Sequence, residues 1–151
     1  MRTWVIIMGV SAAILAGCKK DKYTTTPQVS IESITPSIVS SGNVIELQGK
    51  YTDLEGDVDS ALIVYKWYNG TTAVRKDTFR YGFNQLGMPT GVQRAEISLQ
   101  FEYNTNNYPD LSKLPGVSQR DTTAAFGLLL IDKLKNRSNY AESSTIRIKK
   151  P

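Results

Sequence analysis

Along most of this chain apolar and polar residues alternate one by one, the period that sends every second side chain to the same face of a β-strand. The stretch "RAEISLQFEY" is the cleanest case, setting Ile97, Leu99, Phe101 and Tyr103 against Glu96, Ser98, Gln100 and Glu102. "NVIELQGKYTD" places Ile45, Leu47 and Tyr51 on one side and Glu46, Gln48 and Lys50 on the other. In "ALIVYKWYNG" Ile63, Tyr65 and Trp67 share a face, and the run stops at Asn69-Gly70, a pair that favours the tight turns of hairpins. "DTFRYGF" repeats the pattern with Phe79, Tyr81 and Phe83, and "STIRIKK" alternates Ile146 and Ile148 with Arg147 and Lys149. "VSIESI" opens the series, while "TAAFGLLLID" is apolar on both faces and predicts a central strand covered on both sides. No amphipathic helix stands out.

Seven short strands with turn signals between them, over roughly 120 residues, predict an all-β fold, an immunoglobulin-like β-sandwich. The strands are expected near 28–34 (A), 44–51 (B), 61–68 (C), 73–83, 94–103 (E), 123–132 (F) and 144–149 (G). Trp67 and Phe101 then point into the core, and Tyr68, Tyr81, Tyr108 and Tyr140 remain as aromatic residues free to face solvent. The connection over 104–121, "NTNNYPDLSKLPGVSQRD", is long for a hairpin. It is expected to cross between the sheets, with Leu111 and Leu114 plugging one end of the core on a single helical turn.

The first residues follow a different rule. Met1 to Gly17 carry one positive charge at Arg2, an apolar run from Trp4 to Leu15 and two small residues, the layout of a secretory signal peptide. The run is too short to span a bilayer, which takes about 20 apolar residues. It ends in "LAGC", and Cys18 is the only cysteine of the chain. "LAGC" resembles the lipobox of bacterial lipoproteins. That resemblance implies cleavage before Cys18, a diacylglycerol on its thiol and acylation of the freed amine, with the membrane as the partner reached through this lipid. Two or three acyl chains make such attachment stable where one does not. The expected organisation is a signal peptide over 1–17, a tether over 18–28 ("KKDKYTTTPQ" at its polar centre) and one sandwich domain over 29–151.

Charge and composition narrow the function. Eighteen lysines and arginines against fourteen acids give +4, falling to +3 once Arg2 leaves with the signal. The basic residues are scattered or terminal rather than gathered on one face among aromatics, so nucleic acid is not an expected partner. With no second cysteine, no disulfide framework holds the domain, and an ordinary hydrophobic core must. The chain has no histidine, which removes Ser-His-Asp and Cys-His nucleophile arrangements, imidazole bases and the usual zinc sites. Hydrolysis by paired carboxylates survives that exclusion.

Two loops hold the remaining chemistry. "YTDLEGDVDS" carries Asp53, Glu55, Asp57 and Asp59 around Gly56, and Asp132, Asn136, Ser138 and Asn139 follow strand F in "LLIDKLKNRSN". The B–C and F–G loops of an immunoglobulin-like fold emerge at one end, so these oxygens can converge. Asp53, Glu55, Asp57, Asp59 and Asp132 are therefore the candidate ligands of a calcium ion, which takes six to eight hard oxygens. The spacing is not that of an EF-hand. The alternative reading is a tight turn at Glu55-Gly56 with solvated acids. "TDLEGDVDS" and "IDKLKNRSN", behind a lipobox, resemble the single-domain immunoglobulin-like or PKD/cadherin-like lipoproteins of Bacteroidetes-type bacteria. The resemblance implies the sandwich and an outer-membrane location on the periplasmic or cell-surface face; it implies no activity. "KKD" after Cys18 is similar to the charged stretches that send some of these lipoproteins to the cell surface, although the doubled acid often found there is missing. The expectation is a lipid-anchored, non-catalytic binding or structural interaction module with a protein or glycan partner. A carbohydrate-binding accessory lipoprotein ranks second, and a carboxylate-based hydrolase third.

Overall fold

A computed structural model describes residues 23–115 and 120–151. The chain forms strands β1 (Gln28–Thr35), β2 (Ile38–Val39), β3 (Val44–Thr52), β4 (Val58–Asn69) and β5 (Thr72–Gly82). A single 3₁₀ turn, Phe83–Leu86, precedes β6 (Arg94–Tyr103), β7 (Ser112–Leu114), β8 (Thr122–Asp132), β9 (Ala141–Glu142) and β10 (Ile146–Ile148). Two sheets result, one ordered β1-β3-β6-β7 and the other β2-β10-β8-β4-β5, with β9 also paired to β8. The protein is an all-β sandwich of immunoglobulin-like topology: β1, β3 and β6 stand as A, B and E, and β10, β8, β4 and β5 as G, F, C and C′.

The alternating segments form these strands because one face of each can be buried. In β3 Ile45, Leu47 and Tyr51 are buried, and in β6 Ile97, Leu99, Phe101 and Tyr103 are. From the facing sheet come Ala61, Ile63, Tyr65 and Trp67 of β4 and Ala124, Phe126, Leu128 and Leu130 of β8. Aromatic rings join the two layers. Phe126 stacks on Phe101 at 5.5 Å between centroids and on Tyr65 at 4.9 Å, while Trp67 meets Tyr65 edge-on at 5.2 Å. Such offset and edge contacts add to the area that the rings bury. β8, apolar on both faces through its middle, lies between β4 and β10, as its sequence predicts.

Three short strands exceed the seven expected. β2 runs parallel beside β10, and β7 runs parallel beside β6. The expected strand G is β10, and β9 is an added strand within the expected F–G loop; both pair with β8. Leu114 is buried at one end of the core and Leu111 is half-buried near it, but Leu114 sits on β7 rather than on a helical turn. The 104–121 connection does pass from one sheet to the other, since β7 belongs to the first and β8 to the second.

Glu102 is the main departure within a strand. Alternation put it on the solvent face, yet it is fully buried. Its carboxylate accepts hydrogen bonds from the Thr105 hydroxyl, the Asn107 N–H at 2.6 Å, the Tyr108 N–H at 3.2 Å and the Lys113 ammonium. The connection after β6 thus folds back over the strand that starts it.

Candidate functional site

The sandwich has two ends roughly 30 Å apart, the length of a nine-residue strand. At one end lie the β3–β4 loop, the segment after the 3₁₀ turn and the β8–β9 loop. The Lys133 N–H donates to the Asp57 carbonyl at 3.2 Å, so the two predicted loops do meet. The chain also enters here: the Leu54 N–H donates to the Thr24 carbonyl at 3.1 Å, and Pro27 is buried. Cys18, the expected signal segment and the first part of the expected tether, 18–22, lie outside the described residues.

The five candidate acids take different roles at this end. Asp53 is fully buried; its Oδ2 accepts the Asp57 N–H at 2.8 Å and its Oδ1 has no hydrogen-bond partner among the described residues. Burial raises the Asp53 carboxyl above the usual range, and the charges of Asp57 and Glu55 add to this, against the lowering effect of the Asp57 N–H. Gly56, at φ +66°, turns the loop where a side chain would press on the backbone of Gly91 and Val92. Glu55 is exposed, and Asp59 faces cations, Lys135 at 3.7 Å and Arg80 at 4.0 Å. Asp132 is buried, with Oδ1 accepting the Asn136 N–H at 2.8 Å and Oδ2 the Asn136 side-chain amide at 2.7 Å. Among the described residues no three His, Cys, Asp or Glu side chains gather as a group that could hold a metal ion. The loops converge, but through backbone contacts; the acids do not form one ligand set.

Asn139 and Ser138 also serve the fold. The Ser138 N–H donates to the Leu130 carbonyl at 2.9 Å and its hydroxyl accepts the Leu130 N–H at 2.8 Å, continuing the β8 ladder. The Asn139 side chain reaches the other sheet at Val29.

The outer face of the β4-β8-β9 layer carries a cluster that the sequence did not flag. Glu142 accepts from the Lys66 ammonium, from the Tyr140 hydroxyl at 2.8 Å and from the Tyr68 hydroxyl at 3.1 Å. The Lys66 ammonium also lies 5.0 Å from the centre of the Tyr140 ring. Partial burial pushes the Glu142 carboxyl up, but the bonds from Lys66, Tyr140 and Tyr68 outweigh it and leave Glu142 below its ordinary range. Tyr140 lies across Gly127, where any side chain would run into its ring. The segment "SNYAESS" read as a loop, so its pairing with β8 and the meeting of Tyr140 with Lys66 were invisible; the outward phase of Lys66 and Tyr68 was the available signal.

At the far end Asp121 gathers the C-terminal cations. Its carboxylate takes the Lys149 ammonium at 2.6 Å, the Arg147 guanidinium at 3.2 Å and the Lys150 N–H at 3.2 Å. These partners, Lys149 foremost, hold it down to about 2. An open cleft beside it is lined by Tyr68, Asn69, Arg120, Thr122 and Arg147.

No family model matches the chain, and no curated protein matches it. Similar solved structures include the Pseudomonas fluorescens alkylpurine DNA glycosylase AlkC bound to DNA containing an abasic-site analogue, at 10% identity and TM-score 0.48, over 83% of this chain and 31% of that one. The sporulation control protein Spo0M of Bacillus subtilis is similar at 8% identity and TM-score 0.43, over 83% and 50% of the two chains. A Niemann-Pick type C2 protein from Japanese carpenter ant is similar at 11% identity and TM-score 0.43, over 85% and 96%. The chain spans about a third of the first and half of the second.

Proposed function

We propose that this protein is a lipid-anchored, non-catalytic module of the bacterial outer membrane, on its periplasmic or cell-surface face. Its sandwich serves as a binding or structural interaction domain. The observation that carries the reading is the polarity of the molecule. The chain enters the sandwich at Thr24, a few residues after Cys18 and at the end built from the β3–β4 and β8–β9 loops. An anchor on Cys18 therefore leaves the opposite end, with Arg120, Asp121, Arg147 and Lys149, facing away from the membrane and open to a partner. Two of the buried carboxylates support a non-catalytic role, because Glu102 and Asp132 are committed to holding their own loops.

The anchor is tested by expressing Cys18→Ser. The variant is expected to move from the membrane to the soluble fraction; retention on membranes through high salt and carbonate washes would show that lipid on Cys18 is not the attachment.

A second reading, glycan binding, is favoured by Tyr140. Its ring is 43% exposed on an outer sheet face and is held in place by Glu142, so it offers a fixed stacking surface among polar groups. Loss of polysaccharide retention in Tyr140→Ala, with an unchanged melting temperature, would support it; retention equal to wild type would remove it.

A further inference from the structure

At the tip of the β8–β9 loop Leu134 is 74% exposed, with Lys133, Lys135 and Arg137 exposed around it. Single exposed leucines are ordinary on protein surfaces. Two features separate this one. The turn that presents it is fixed: the Lys135 N–H donates to the Asp132 carbonyl at 3.1 Å, the Asp132 N–H to the Asn136 carbonyl at 3.1 Å, and the Asp132 carboxylate takes both the N–H and the side-chain amide of Asn136. Lys135 holds the left-handed conformation, φ 72°, which completes the turn. Its place is the second feature. Leu134 stands at the end where the chain enters, beside the β3–β4 loop whose Leu54 is 41% exposed and bonded to Thr24.

We infer that this end of the sandwich docks on the bilayer that carries the Cys18 lipid, with Leu134 inserted among the headgroups. The inference rests on the anchor proposed above. Six peptide steps separate Cys18 from Thr24. A fully extended chain covers at most about 3.6 Å per residue, so Thr24 stays within about 22 Å of the acylated cysteine. One leucine is too small an apolar surface to hold a soluble protein on a membrane. A short tether changes that, because it holds the loop at an effective concentration in the millimolar range at the surface. Charge does not lead the contact. Glu55, Asp57 and Asp59 share this end with Lys133, Lys135 and Arg137, and Lys135 already lies 3.7 Å from Asp59. Docking is therefore apolar and indifferent to anionic lipid and to salt.

The test uses the full-length acylated protein in phosphatidylcholine vesicles, with and without phosphatidylglycerol. A thiol-reactive fluorophore is attached to Leu134→Cys, or to Asn69→Cys at the far end as reference, and nitroxide-labelled lipid and aqueous iodide serve as quenchers. The expected result is several-fold stronger lipid quenching at position 134 than at 69, with iodide quenching in the reverse order, in both lipid mixtures and in high salt. Equal quenching at the two positions overturns the docking while leaving the anchor intact. Quenching at 134 that needs phosphatidylglycerol or vanishes in salt overturns the apolar contact inferred here. Wild-type protein separates the two readings: if its Cys18 takes up the label, or carbonate strips it from the vesicles, the anchor fails and the docking with it.

Discussion

The Asn139 side chain takes the place of a strand neighbour for Val29. Its Oδ1 accepts the Val29 N–H at 2.8 Å and its Nδ2 donates to the Val29 carbonyl at 2.8 Å, closing the start of β1 onto the segment before β9. Each such bond contributes about 1 kcal/mol net, so Asn139→Ala is expected to cost about 2 kcal/mol. The loss should be local as well as global, with amide exchange speeding up at the first residues of β1 before the rest. Asn139→Asp keeps the acceptor and loses the donor, and should not restore protection.

Glu102 should set the acid limit of the fold. Its burial alone would raise the carboxyl, but Lys113, Thr105 and the N–H groups of Asn107 and Tyr108 hold it down to about 2. An unfolded glutamate titrates near ~4.3. The folded state thus holds this proton less tightly than the unfolded one, and the stability that follows is present above ~4.3 and lost as pH falls toward 2. Glu102→Gln should lower the melting temperature at neutral pH and flatten its decline over that acid window. A variant with an unchanged acid limb would remove Glu102 from this role.

Trp67 and Phe101 are core residues, 8% and 2% exposed, on facing sheets. Truncating either to alanine should cost about 3–5 kcal/mol, measured by denaturant unfolding. Retention of the wild-type midpoint would place that ring outside the core.

Asp53 makes the opposite pH prediction to Glu102. Its raised carboxyl contributes stability that is whole below the unfolded value near ~3.9 and is lost as pH rises through the folded one. At neutral pH the Oδ1 charge is buried without a partner among the described residues. Asp53→Asn keeps an acceptor for the Asp57 N–H and removes that charge, so it should raise the neutral-pH melting temperature. Calcium is checked in the same assay. Because these acids do not gather as one ligand group, calcium and magnesium at matched ionic strength should shift the midpoint equally, with Asp57→Asn changing neither. A shift specific to calcium and abolished by Asp57→Asn would instead assemble Asp53, Glu55, Asp57 and Asp132 around an ion.

The long strands were legible because their alternation reports a single physical fact, burial of one face. Ile45, Leu47, Tyr65 and Phe101 are all where that period puts them. β2, β7 and β9 were not legible, since their pairing is decided by neighbours distant in sequence rather than by a period of their own. Glu102 misled for a related reason. A charge at an outward position reads as solvated, and only the return of Lys113 and the Asn107 and Tyr108 amides from the following loop makes its burial possible. The loops at the chain-entry end were placed correctly by topology, whereas the direction of each carboxylate depended on turn geometry that Asp132 and Asn136 settle between themselves.

The parallel pairing of β2 with β10 has a mechanical meaning. The Arg147 N–H donates to the Ser37 carbonyl at 2.8 Å and the Lys149 N–H to the Val39 carbonyl at 2.8 Å, side by side. The chain arrives from one end of the sandwich and β10 departs toward the other, so tension applied between the two termini pulls these strands past each other. Bonds in that geometry share the force and must rupture together, whereas a pull across the sheet would open them one at a time. Stretching single molecules between the termini should therefore require a higher unfolding force than stretching across the sheet. Pulled from its two termini, the domain would act as a stiff link that resists being unravelled from its own last strand.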